Sequence, residues 1–121
     1  MMTTSEIANQ YVTLYKQGKD VKALYSPDAV SVEAWAPSGM NREAVGLPAI
    51  VAKGEWWIAN HEVHSSAMTG PWPHGDRFIV GFQFDVTMKQ SGQRMQMDEV
   101  GLFTVKDGKI VREEFFYQAG A

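Results

Sequence analysis

Two glutamates occupy positions where the surrounding pattern asks for apolar side chains. Phe82, Phe84, Val86 and Met88 alternate along one segment, and Met95, Met97, Glu99, Gly101 and Phe103 along the next. Pairing Gln90 with Gln93 across a Ser91-Gly92 turn puts both sets on one face, with Val86 opposite Met97, Phe84 opposite Glu99 and Phe82 opposite Gly101. Gln83, Asp85, Thr87, Arg94, Gln96 and Asp98 take the other face. Glu99 is thereby set between Met97 and Phe103 on the inner side. Pairing Val105 with Lys109 around Lys106-Asp107-Gly108 brings Glu113 to that side too, beside Gly101, although a one-residue slip in the run Arg112-Glu113-Glu114 would turn it outward. Charged carboxylates are costly in apolar surroundings. Desolvation and mutual repulsion raise their pKa values and couple their titrations, which suits a general acid or base. The competing reading is a buried polar network in which Tyr or Trp donors satisfy the carboxyls.

Other constellations carry less. His61 and His64 have the spacing H-x-x-H, but they fall where a helix gives way to a strand, and on a strand that spacing points them to opposite faces. No metal site is therefore expected. His64 is read with Ser66 and Met68 on the outer face, and Val63, Ser65 and Ala67 on the inner; an inward His64 paired with Glu99 is the alternative. There is no cysteine, which excludes disulfides, thiolate metal sites and cysteine nucleophiles. The glycines form no phosphate-binding loop and the serines no G-x-S-x-G elbow. Lys plus Arg total 11 against 14 Asp plus Glu, a formal charge of −3, which speaks against a nucleic-acid footprint. No cofactor is expected.

The elements that must hold these residues follow from periodicity. Ile7, Tyr11, Leu14 and Tyr15 form one stripe of a helix over about residues 5–17, stopped by Gly18. Asp20 caps a shorter helix that ends at Ser26-Pro27, and residues 29–35 read as a strand. Gly46-Leu47-Pro48 opens a third helix carrying Ile50, Val51, Gly54, Trp57 and Ile58 and fading near Asn60. Residues 62–69 read as a strand, 70–76 as a loop, and 77–90, 93–105 and 109–118 as three further strands. The order ααβαββββ predicts an α+β fold, with three N-terminal-half helices on one face of a curved antiparallel sheet. At 121 residues, 45% of them hydrophobic, the chain is expected to be one domain over residues 1–121. Four Trp, six Phe and seven Met are enough to line a cavity as well as fill a core. Trp56 and Trp57 cannot both face inward, and the reading favoured here packs Trp57. The opening residues have no basic, apolar leader, and no apolar run nears the roughly 18 residues of a membrane span, so a cytoplasmic location is expected. Leu102, Phe116 and Val100 make the outer face of the last strands too apolar for free solvent, which predicts a homodimer through the sheet.

The order of elements, together with Tyr25-Ser26-Pro27-Asp28-Ala29-Val30, Gly46, Ile50, Thr69-Gly70-Pro71 and Lys106-Asp107-Gly108-Lys109-Ile110, resembles the SnoaL-like group of the nuclear-transport-factor-2-like superfamily, relatives of ketosteroid isomerases and polyketide cyclases. The likeness runs from Ala8 to Tyr117. It implies a cone-shaped, cystatin-like barrel with an apolar pocket at the wide end. It also implies Glu33 at the position of the ketosteroid isomerase carboxylate base and Tyr11 near the oxyanion-hole tyrosine. Gly101 stands where that family has a second oxyanion donor, Gly54 where a supporting tyrosine belongs, and Phe115 where polyketide cyclases carry an acid/base Asp. The expectation is a protein that binds a small lipophilic ligand between Trp57, Phe82, Phe84, Val86, Met97, Phe103, Phe115 and Tyr117. Glu33, Glu99, Glu113 and Tyr11 are candidates for cofactor-free proton transfer of an isomerase, cyclase or dehydratase type. The alternative is a non-catalytic binding or interaction module.

Overall fold

The first helix, α1 (Thr4–Lys16), begins at a capping box: Glu6 N–H donates to the Thr3 hydroxyl at 3.1 Å, and Thr3 N–H donates to the Glu6 carboxylate at 2.9 Å. Ile7, Ala8, Tyr11 and Val12 form its buried stripe. A computed structural model describes residues 1–118 of the chain. The helix expected after Asp20 is only a 3₁₀ turn, Lys22–Leu24, with Asp20 accepting from Lys22 N–H at 2.8 Å. The segment is too short to close α-helical turns.

Strand β1 (Tyr25–Val32) starts four residues before the expected boundary. Pro27 falls in a stretch where the ladder to the last strand is irregular, between the pairs Tyr25/Ile110 and Val30/Arg112, so its missing N–H breaks no regular bond. A short strand that periodicity could not reveal, β2 (Glu43–Val45), pairs antiparallel with β1 at the sheet edge. Gly46, at φ 90°, then turns the chain into α2 (Leu47–Asn60), whose first turn holds Pro48.

The remaining strands are β3 (His61–His74), β4 (Arg77–Met88), β5 (Arg94–Lys106) and β6 (Lys109–Phe116). They form one six-stranded sheet in the order β2-β1-β6-β5-β4-β3. All neighbours are antiparallel except β1 and β6, so the first and last long strands meet side by side in parallel. Residues 70–74, expected in a loop, continue β3 beyond an irregularity, with Trp72 opposite Ile79 and His74 opposite Arg77.

Two register corrections follow from the turns. The β4–β5 connection is longer than a two-residue turn: Met88 N–H donates to Gln93 O at 2.8 Å, and Phe82 lies opposite Glu99. The β5–β6 turn is tighter than expected, with Asp107 and Gly108 both at positive φ, as a type I′ turn requires, and a bulge near Thr104 then sets Phe103 opposite Glu113 and Gly101 opposite Phe115. Each correction is a shift of two residues. Period two leaves every face unchanged, and Glu99 and Glu113 stay on the inner side.

α1 lies over β3 and β4, and α2 over β1, on the concave face of the curved sheet. The α+β expectation holds, with two α-helices in place of three. The core beneath α1 is aromatic: Phe78 stacks on Phe103 at 4.7 Å between ring centres, and Tyr11 packs on Phe103 at the same separation.

Candidate functional site

The stripe of α2 that faces the sheet runs Leu47, Ile50, Lys53, Trp57. Lys53 is the exception in that series. It breaks the apolar pattern, which is why a search for apolar spacing passes over it; its signal is its place three residues after Ile50 and four before Trp57. Its Nζ donates to Ser31 Oγ near the end of β1 and, at 3.0 Å, to Oε2 of Glu33 just beyond it, and lies 5.2 Å from the centre of the Phe115 ring on β6. The other Glu33 oxygen accepts from the Tyr117 hydroxyl at 3.2 Å. Thus Glu33, given its position by the family resemblance, is an ion-paired and hydrogen-bonded group. Lys53 and Ser31 are the residues that sequence reasoning missed.

Glu99 and Glu113 sit farther along the same concave face. Burial pushes the Glu99 carboxyl up to about 7, with repulsion from Glu33 adding to the rise and Lys53 opposing it. No hydrogen-bond donor meets the Glu99 carboxyl among the described residues. Glu113 is 4% exposed, and burial likewise lifts its carboxyl to about 7, against the pull of Lys53 and of the nearby Tyr25 hydroxyl. The Tyr25 hydroxyl lies near that of Tyr11, and burial drives both phenols well above their usual range. Tyr11 is therefore a core residue, 3% exposed, linked to Glu113 through Tyr25. One helical turn later, Tyr15 packs edge-on against Phe82 at 5.5 Å, and its hydroxyl is raised to about 12 by burial, with Glu99 and Glu113 adding repulsion.

The expected walls divide into two groups. Phe82, Val86 and Phe103 are fully buried and belong to the core. Trp57, Phe84, Met97, Phe115 and Tyr117 are half-buried, although they lie on the inner side of the elements that carry them. They lie partly exposed on the concave face near Glu99 and the Lys53–Glu33 pair, and this region is the candidate cleft. Two surface cavities of about 240 and 300 Å³ lie elsewhere, one on α1 beside Gln10 and Leu14, the other between Tyr15 and Met68.

His61 is buried, stacked on Trp57 at 4.4 Å with Nδ1 2.8 Å from the Trp57 carbonyl oxygen. His64 faces outward and meets Thr87 Oγ1 at 2.6 Å. It is not paired with Glu99. A bulge between Val63 and Ser65 reverses the strand's alternation, so Val63, Ser66 and Met68 lie across from Val86, Phe84 and Phe82 on the inner side, and Ser65 and Ala67 do not. Trp57 packs, and Trp56 is 61% exposed. Among the described residues no group of three His, Asp or Glu is placed to hold a metal ion, and no helix is long and apolar enough to cross a membrane.

A six-stranded curved sheet, unclosed and carrying two helices on its concave side, with ionisable groups in the hollow, defines the class. The chain belongs to the SnoaL-like domain family, whose model matches residues 2–117, within the nuclear-transport-factor-2-like superfamily. A Mesorhizobium loti protein described as a candidate SnoaL-like polyketide cyclase and also as a carbohydrate phosphatase is 44% identical, over 96% of this chain and 100% of that one, at a TM-score of 0.89. A candidate isomerase from Bacillus subtilis is 23% identical over 97% of this chain and 90% of that one, at a TM-score of 0.75. A Catenulispora acidiphila protein with a ketosteroid isomerase-like fold, crystallised in complex with trimethylamine, is 18% identical over 97% and 88% of the two chains, at a TM-score of 0.71. The last two likenesses establish the fold alone. No curated protein matches the chain.

Proposed function

We propose that the chain binds a small lipophilic molecule in the cleft of the concave face and moves a proton on it without a cofactor, with Glu99 as the proton acceptor. The observation that carries this reading is the setting of Glu99: a carboxyl lifted to about 7, without a hydrogen-bond donor among the described residues, beside half-buried apolar side chains. A base is most effective when its pKa lies near the working pH. Glu33, by contrast, has both oxygens engaged, and its role is to hold Lys53 and Tyr117 in place. Glu113 and Tyr11 support the site from the core through Tyr25.

A second reading has an observation of its own. Glu113, Tyr25 and Tyr11 lie together in the core, so the polar interior serves equally in a non-catalytic binding module in which a protonated Glu99 only recognises a polar end. Native mass spectrometry of the purified protein tests the shared part of both readings, with a retained molecule of low polarity expected. Retention of nothing, with no thermal shift from a library of lipophilic compounds, defeats both. Turnover that rises as pH passes through about 7 and is lost in Glu99→Gln favours the enzyme. Binding by wild type and variant with no turnover favours the module.

A homodimer through the convex face belongs to the same proposal. Ile79, Val100 and Phe116 are 38%, 39% and 51% exposed on neighbouring strands β4, β5 and β6, side by side on the face away from the helices.

A further inference from the structure

β3 is the outermost strand of the sheet, with β4 on one side and, among the described residues, no strand on the other. Every second residue of such a strand turns its backbone N–H and C=O groups away from the sheet, where another extended chain can pair with them. Two devices that discourage this pairing lie toward the ends of β3. One is the bulge between Val63 and Ser65; the other is Pro71 and Pro73, which have no N–H to offer. Between them runs Ser65-Ser66-Ala67-Met68-Thr69, regular in its pairing with β4, exposed except for a half-buried Met68, and without a charged residue or a proline. The middle of this edge is the part left unguarded.

The cavity of about 300 Å³ opens on this same stretch, walled by Ser66, Ala67 and Met68 of β3 and by Tyr15 and Lys16 at the C-terminal end of α1. Met68 and the Tyr15 ring, itself packed on Phe82, make part of that wall apolar. Tyr15, Lys16 and Ser66 bring donors to the rest, and no other side chain among the described residues is bonded to any of the three. We infer that β3 accepts an extended peptide of a partner protein as an added strand, paired along Ser65–Thr69, with an acidic side chain of that peptide seated in the cavity against Lys16. Main-chain bonds to β3 hold the strand whatever its sequence, and the cavity reads one of the side chains that alternate along it. A second copy of this chain, pairing through the same five residues, brings no carboxylate to Lys16, because Ser65-Ser66-Ala67-Met68-Thr69 contains none. A foreign acidic strand fits the charge. This edge lies at the opposite end of the strand order from β1, which α2 covers, so the docking surface is independent of the Glu99 and Lys53 groups.

The full chain and three fluorescein-labelled peptides test this, each peptide a short run of alternating threonine and alanine with glutamate, glutamine or lysine at its centre. Fluorescence polarisation should show the glutamate peptide binding most tightly and the lysine peptide about tenfold more weakly, with their order reversed in Lys16→Glu. Binding should also slow amide hydrogen exchange along Ser65–Thr69. A strand offers alternate N–H groups to its two sides. Methylating the peptide nitrogens on one side should therefore abolish binding, and methylating those on the other should leave it. Four results overturn the proposal: none of the peptides binds; glutamate and lysine peptides bind wild type equally; both methylated forms behave alike; or exchange along Ser65–Thr69 in the free protein slows as protein concentration rises, which assigns the edge to a second copy. Should Lys16→Glu not fold, the contrast between glutamate and lysine peptides on wild type decides alone.

Discussion

Glu99 and Glu113 hold their protons to about 7 in the folded chain, whereas an unfolded chain releases them near the ordinary value of 4.5. Between these two pH values the folded state binds more protons than the unfolded state, so stability must fall as pH rises across the window and level off above about 7. Melting followed by circular dichroism at pH 5 and pH 8 should therefore show a lower melting temperature at pH 8. Glu113→Gln, which keeps the shape and removes the ionisation, should flatten part of that slope; Glu99→Gln should flatten another part. A wild-type melting temperature that rises between pH 5 and pH 8 would contradict the desolvated placement of both groups. The ion pair of Arg94 with Asp85, at 2.9 Å on the outer face, adds nothing to this slope, because the Arg94 hydrogen bond holds the Asp85 carboxyl below its ordinary 3.8 and therefore below the window.

At the level of the strands, Gly101 shows how closely the inner face is filled. A Cβ there would stand 2.8 Å from the Phe103 ring and 3.1 Å from that of Phe82. Gly101→Ala should destabilise the chain by about 1–3 kcal/mol through overpacking, read as a lower urea midpoint with an unchanged slope. A neutral result would mean that the two rings are free to retreat. This crowding also accounts for the absence of an acid at this position: the rings occupy the space. The inner face of β4, β5 and β6 was legible in the alternation of Phe82, Phe84, Met97, Glu99 and Phe103, because both turn errors were shifts of two residues and a period of two forgives those. Other features left no mark in the pattern. The bulge at Val63–Ser65 inserts a residue without a glycine or proline to announce it, β2 is too short to show a period, and Lys53 hides on a helical stripe that is recognised by apolar residues alone. Tyr11 was legible as an inward residue of α1, but not its depth, which depends on the aromatic layer of Phe78 and Phe103 closing over it.

For the whole molecule, the convex side of the sheet is where association should be sought. If Ile79, Val100 and Phe116 meet their counterparts in a second copy, sedimentation should give about twice the 13.5 kDa chain mass. Phe116→Lys should shift the protein to monomer with its cleft chemistry intact. A wild-type monomer at high concentration would leave this face as exposed surface. The parallel contact of β1 with β6 has a consequence for biosynthesis. The Glu33–Tyr117 hydrogen bond spans 84 positions of the chain, and Phe115, beneath the ammonium, arrives almost as late. A nascent polypeptide that stops short of β6 already contains Glu33, Lys53 and Glu99, yet nothing then lies beside β1. The hollow is assembled only once β6 has been made and laid against the first long strand, so any molecule it captures must be met by a chain folded through Tyr117 and not by a shorter nascent one.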